Sequence, residues 1–206
     1  MASVKKFIDH PSWEKKLGSD ELPALAFIEC SSIARGLFLT DIAIKKAPVK
    51  MIVSQPISSG KHVLLFYGDV ASVQESREAV LESSDNCVIK DIIIPNVHPQ
   101  LSPFLDSIWS QNNRVFEVGD SVGIIESQTL SGAILSADQA LKAAEVSLCK
   151  MRLGQGIGGK AYFVLTGRQE EVEAANESAQ NCLKSLESYL RVDLIARPDQ
   201  DVLEHF

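Results

Sequence analysis

The sequence predicts an α/β sandwich built twice, as two tandem β-α-β-β-α-β units. Two observations carry that prediction. The second half repeats the first, and within each half short apolar runs alternate with stretches whose apolar residues recur every three or four positions, the periods of strands and of helices.

Laying the second half on the first sets Phe27-Ile28-Glu29 on Ile124-Ile125-Glu126. Asp41, Ala43, Lys45, Ala47 and Val49 fall on Asp138, Ala140, Lys142, Ala144 and Val146. A short insertion in the second half then brings Gly60-Lys61 onto Gly159-Lys160, Gly68 onto Gly167, and Val73 and Glu78 onto Val172 and Glu177. A repeat of this length is a whole domain, since solenoid units run to about 20 to 50 residues.

Each unit opens with an apolar strand, Ala24 to Glu29 and Val122 to Glu126, followed by Ser and Thr residues suited to capping a helix. Ile33, Leu37, Thr40, Ile44 and Ala47 define one face of the first helix, matched by Leu130, Ile134, Ala137, Leu141 and Ala144, and that face is expected to be core. A second strand (Lys50 to Gln55; Ser147 to Leu153) passes through a glycine-bearing turn into a third (His62 to Tyr67; Ala161 to Thr166), as a hairpin. A second helix (Ser72 to Ser83; Glu170 to Leu183) and a last strand (Val88 to Ile94; Tyr189 to Ile195) complete each unit. The segment His98 to Asp120, with Pro99, Pro103, Asn112, Asn113 and Gly119, reads as a surface connection. The expected units are therefore 23–110 and 120–206, preceded by an extension, 1–22, which has no counterpart in the second unit.

Across 206 residues, 45% hydrophobic and 23% charged content suits a packed globular core. A net charge of -7 without a basic stripe argues against nucleic-acid binding, which depends on clustered Lys and Arg. With no signal-peptide pattern and no apolar run near the roughly 20 residues that span a bilayer, a cytoplasmic protein without a membrane partner is expected. Cys30, Cys87, Cys149 and Cys182 lie far apart without metal-ligand spacing and are read as small buried hydrophobes.

Gly154-Gln155-Gly156-Ile157-Gly158-Gly159-Lys160 approaches two nucleotide-binding patterns. Ala161 then stands where a P-loop needs a hydroxyl, and a strand follows where a helix N-terminus should meet the phosphate. A turn that brings backbone close to another subunit fits better. Asp41/Lys45 and Asp138/Lys142 have the spacing of exposed helical ion pairs. Glu29 and Glu126 end their strands without a histidine or nucleophile partner, and no catalytic constellation can be assembled, so no enzymatic activity is expected.

The strings Ala24-Leu25-Ala26-Phe27-Ile28-Glu29, Asp41 through Lys45-Lys46-Ala47, and Gly60-Lys61 before an apolar strand resemble the bacterial microcompartment shell domain, and both units do so. Ser32-Ile33-Ala34-Arg35-Gly36, Asn96-Val97-His98-Pro99 and Gly156-Ile157-Gly158-Gly159-Lys160 are similar to the tandem-domain branch, in particular its propanediol-utilisation members that hold an iron–sulfur cluster. The resemblance implies a homotrimer whose duplicated chains approximate a hexamer, packed with other shell proteins into a facet and passing small metabolites. It also implies that the turns of Ile57, Ser58, Ser59 and Gly60 and of Gln155, Gly156, Ile157, Gly158 and Gly159 line a central pore. Lys45 and Lys142 match the family's tile-edge lysine, and Arg197 with Pro198 matches its arginine after the last strand; the first unit has Pro95-Asn96-Val97-His98 there, so its edge residues Asn96 and His98 imply altered edge chemistry. Ser58 stands where cluster-bearing relatives have the ligand cysteine, so no iron–sulfur cluster or other cofactor is expected. The competing readings are an electron-transfer protein with a metal centre at the pore, and a ligand-sensing α/β trimer whose Gly154 to Lys160 loop holds an anion.

Overall fold

The structure, a computed structural model, describes residues 24–101, 104–105, 119–154 and 156–203. The extension 1–22, most of the unit boundary expected near 110 to 120 and the pore candidate Gln155 lie outside these residues.

In the first unit, β1 (Ala24–Cys30) leads through the capping residue Ser32 into α1 (Ile33–Lys46), then β2 (Lys50–Ile57), a 3-10 turn (Ser58–Gly60), β3 (Lys61–Gly68), α2 (Val70–Glu82) and β4 (Val88–Ile94). The second repeats this order as β5 (Ser121–Ser127), α3 (Leu130–Ala143), β6 (Ser147–Leu153), β7 (Ala161–Gly167), α4 (Gln169–Ser185) and β8 (Tyr189–Ala196), followed by a short α5 (Gln200–Leu203). The Ser32 and Thr129 side chains accept from the Arg35 and Gly132 amides at corresponding first turns, satisfying donors that the helices leave open. Both sheets are antiparallel, ordered β2-β3-β1-β4 and β6-β7-β5-β8.

The first sheet is covered on both sides. Ala24, Ala26, Ile28, Leu64 and Phe66 face α1 and α2. Leu25, Phe27, Leu65, Ile92 and Ile94 belong to one continuous core with Leu130, Ile134 and Leu141 of α3, a helix of the other unit. The α3 helix therefore packs both on its own sheet and on the neighbouring unit. The second sheet has its own helices on one face, while buried Val122, Cys149 and Val164, with half-buried Ile124 and Tyr162 packed against them, form a small separate cluster.

This arrangement corrects the expected core face of α1. Gly36, Leu39 and Ala43 are buried, and Gly36 lies so close to His62 that an added Cβ would stand 2.4 Å from the imidazole ring. Ala47 is also buried and Thr40 half-buried, but Ile33, Leu37 and Ile44 are exposed. Periodicity marks an apolar stripe but does not tell whether the fold buries it. In α3 the matching stripe is buried because the first unit lies against it. The connection after β4 is also less superficial than expected: Val97, Leu101, Phe104 and Leu105 enter the core, and the Gln100 side chain bonds Val146 O and Leu148 N at the start of β6. Glycine and proline marked an irregular backbone there, which need not be an exposed one.

Candidate functional site

The two β-hairpin turns meet. Between β2 and β3 the chain reverses within Ser58–Gly60, with Ser59 at φ 69 and Gly60 at φ 70, the left-handed region open to glycine and costly for most side chains. Between β6 and β7, Gly154, Gly156, Gly158 and Gly159 all have positive φ, and the turn is closed by Gly154 N–H donating to Lys160 O at 2.9 Å and Lys160 N–H donating to Ile157 O at 3.3 Å. Ser59 Oγ donates to Gly158 O at 3.5 Å, joining the turns across the units. Ser58 is half-buried, and Ser59, Gly60, Gly156 and Gly158 are exposed, so the turns form a rim that presents backbone dipoles, with the cations Arg152 beside Gly156, Lys61 beside Gly159 and the exposed Lys160 close by. Strand β7 follows the glycine turn directly, so the loop presents no helix N-terminus to a phosphate.

Below this rim lies the junction between units. Glu29 ends β1 fully buried; its Oε1 accepts from Ser131 N at 2.9 Å and Ser131 Oγ at 2.7 Å, while Oε2 stands 3.8 Å from Lys61 Nζ. Ser131 lies in the first turn of α3, where backbone N–H groups lack helical acceptors and the helix dipole favours an anion. Glu29 is thus a clamp between units, a role strand-end spacing alone did not reveal; the only sequence signal was an acidic residue repeated at the end of an otherwise apolar strand.

A second polar cluster gathers three of the expected edge residues. Lys142 Nζ donates to Asp138 Oδ2 at 2.6 Å and also to Asn96 O, while Asp138 Oδ1 accepts from His98 N at 2.8 Å. Burial lowers the His98 pKa, with Asp138 opposing that shift and Lys142 adding to it. Among the described residues Lys45 pairs with exposed Asp41 at 2.7 Å, and Arg197, in a left-handed conformation, donates its amide to Asp120 O at 2.7 Å. The structure therefore joins Lys142, Asn96 and His98, and it does not bring Lys45 to Arg197 within the chain. Asp138/Lys142 differs from an ordinary exposed helical pair because Asp138 is buried at the junction.

All four cysteines are buried and unbridged. Burial, with Cys87 beside it, pushes the Cys30 thiol up to about 12, and burial does the same to Cys149. A reactive thiol requires the reverse shift. At the first turn the side-chain donors are the Ser58 and Ser59 hydroxyls, hard neutral oxygens that do not suit an iron–sulfur centre.

Residues 24–97 and 121–198 each match the BMC domain family. The chain is 32% identical over 160 residues to the bacterial microcompartment shell protein PduT of Citrobacter freundii, an alignment covering 76% of this chain and 84% of that protein. Among solved structures, a microcompartment protein from Desulfitobacterium hafniense superposes with a TM-score of 0.78 at 31% identity, covering 90% of this chain and 99% of the other. The fused permuted hexameric shell protein MSM0275 from the RMM microcompartment gives a TM-score of 0.60 at 26% identity, covering 80% and 83% of the two chains.

Proposed function

The chain belongs to the BMC domain family, carrying that domain twice, and we propose that it assembles as a homotrimeric tile whose six domains surround a small opening for metabolites. It is a bacterial microcompartment shell protein, of a family whose role is structural. That this chain performs no bond chemistry itself, and that it packs beside other shell proteins, belongs to the same proposal.

The observation that carries the tile reading is the meeting of the two turns at Ser59 and Gly158. If the head-to-tail contact between units is continued from chain to chain, rotational closure brings all such turns around one axis. Ile57, Ser58, Ser59 and Gly60 then alternate with Gln155, Gly156, Ile157, Gly158 and Gly159 around the pore. Their hydroxyls and backbone dipoles would select passing molecules by width and hydrogen bonding. Lys45, Lys142, Asn96, His98 and Arg197 are assigned to the outer rim, where units and tiles abut. No iron–sulfur cluster is assigned to the pore, because serine hydroxyls replace thiolate there.

Native mass measurement with electron microscopy tests the proposal. Trimers that form sheets at high concentration are the expected result; a stable monomer without sheets sinks it. A Ser58→Cys variant tests the pore assignment, since three convergent thiols should permit cluster reconstitution in an intact trimer. If reconstitution fails while the trimer persists, the turn is misplaced.

A further inference from the structure

The ends of β1 and β5 share one backbone frame and carry different atoms. Cys30 ends β1 and Cys87 precedes β4; in the second unit Ser127 and Ser188 hold these places on β5 and before β8. Ser31 N–H donates to Cys87 O at 2.8 Å, and Gln128 N–H donates to Ser188 O at 2.9 Å. The pairing register shifts at the same step in both sheets, after Glu29 and after Glu126. In that frame the Ser127 and Ser188 hydroxyls hydrogen-bond to each other at 2.9 Å. The first unit sets two thiols where the second sets two hydroxyls, and the Cys30 thiol is hydrogen-bonded to Cys87. Both cysteines belong to one core cluster, Cys30 0% and Cys87 8% exposed. The turn that presents Cys87 is held from α1, where the Arg35 guanidinium donates to Ser83 O and pairs with Asp85 at 2.6 Å.

We propose that Cys30 and Cys87 close reversibly to a disulfide under a peroxide, a covalent staple between the end of β1 and the start of β4 that only the first unit can make. One thiolate attacks the peroxide, breaking its O–O bond to give a sulfenic acid and water. The second thiol then attacks that sulfur, forming the S–S bond and releasing a second water. Two electrons pass from the sulfurs to the peroxide, and a dithiol reductant returns them by exchange. Because the side chains already touch, closing to the roughly 2.05 Å of an S–S bond takes side-chain rotation rather than strand movement. Burial keeps the reaction slow at neutral pH, since it holds the Cys30 thiol at about 12. The staple lies one residue from Glu29, the carboxylate that holds α3, so closing it stiffens the strand end that carries the junction between units. It forms within one chain and does not depend on assembly.

The full chain, treated with hydrogen peroxide between pH 7 and pH 9, then unfolded, alkylated and mapped by mass spectrometry, provides the test. The expected product has lost two hydrogens, links the Cys30 and Cys87 peptides, and leaves Cys149 and Cys182 open to alkylation. Those two are buried as deeply, and the causes that raise their thiols include no second cysteine. The closure rate should rise roughly tenfold per pH unit with the thiolate fraction, and dithiothreitol should reverse the product. Its Tm should exceed that of the reduced chain by several degrees. Cys87→Ser, which restores the hydroxyl found in the second unit, should keep the fold and lose both the link and the gain in Tm. Four free thiols after incubation at pH 9, single cysteines oxidised to sulfinic acid without a link, or a linked form that melts no higher than the reduced chain would each overturn the staple.

Discussion

The order of its hydroxyl neighbours sets the tautomer of His62. Thr40 Oγ1 donates to Gly36 O at 2.9 Å, so it accepts from Ser54 Oγ at 2.7 Å, and Ser54 must in turn accept the Nε2 proton of His62 at 3.0 Å. That leaves Nδ1 as a bare lone pair in a buried setting, where an added proton would find no acceptor. Burial accordingly lowers the His62 pKa from 6.5. The sign follows from linkage: the unfolded chain binds the proton more readily, so stability is retained above about pH 6.5 and lost as pH falls toward the depressed folded value. Thermal melts from pH 7.5 to 5 should therefore show a steeper decline in Tm for the native sequence than for His62→Gln, which cannot take up this proton. Equal slopes would exclude His62 as the cause. The sequence showed His62 only as one scattered histidine. Its partners lie on α1 and β2, so the hydroxyl chain exists only once those elements pack together.

Helices α1 and α3 carry the same apolar pattern in different surroundings. Ile134→Ala in α3 removes buried side-chain volume between the units and should cost about 2 to 4 kcal/mol in urea unfolding. The matching change in α1, Leu37→Ala, should cost the dissociated chain well under about 1 kcal/mol, because surface substitutions rarely exceed about 0.5 kcal/mol. Both are read from denaturation at concentrations too low for assembly; equal costs would mean that α1 is covered within the chain. The elements themselves were legible. Thr and Ser before the helices, glycines ending β3 and β7, and period changes along the chain locate the strands and long helices of both units to within a few residues, whereas the short α5 has no such signal. The face buried by α1 was not legible, since a 3.6-residue period marks an apolar stripe without distinguishing its own sheet from a neighbouring chain.

At the scale of the whole molecule, the two units share one internal junction, and the α1 stripe that matches its α3 half is exposed. Coupling folding to assembly makes stability depend on protein concentration. Calorimetry over a dilution series should show Tm rising with concentration for the native sequence and nearly constant for Leu37→Gln, whose polar amide would be buried on assembly. A concentration-independent Tm in both would argue that α1 remains solvated in the working protein.

The sequence by itself determined the duplication, the order of elements, the family and the glycine-rich turns, because each is written in local spacing or direct repetition. Only the tertiary structure decided which equivalent residues are equivalent in role. Glu29 is buried and bonded to Ser131, while Glu126 remains open; Asp138 is buried, while Asp41 faces solvent. Within one chain only one of the two matching interfaces can be formed. Repetition specifies two like surfaces, and the fold determines which is already occupied.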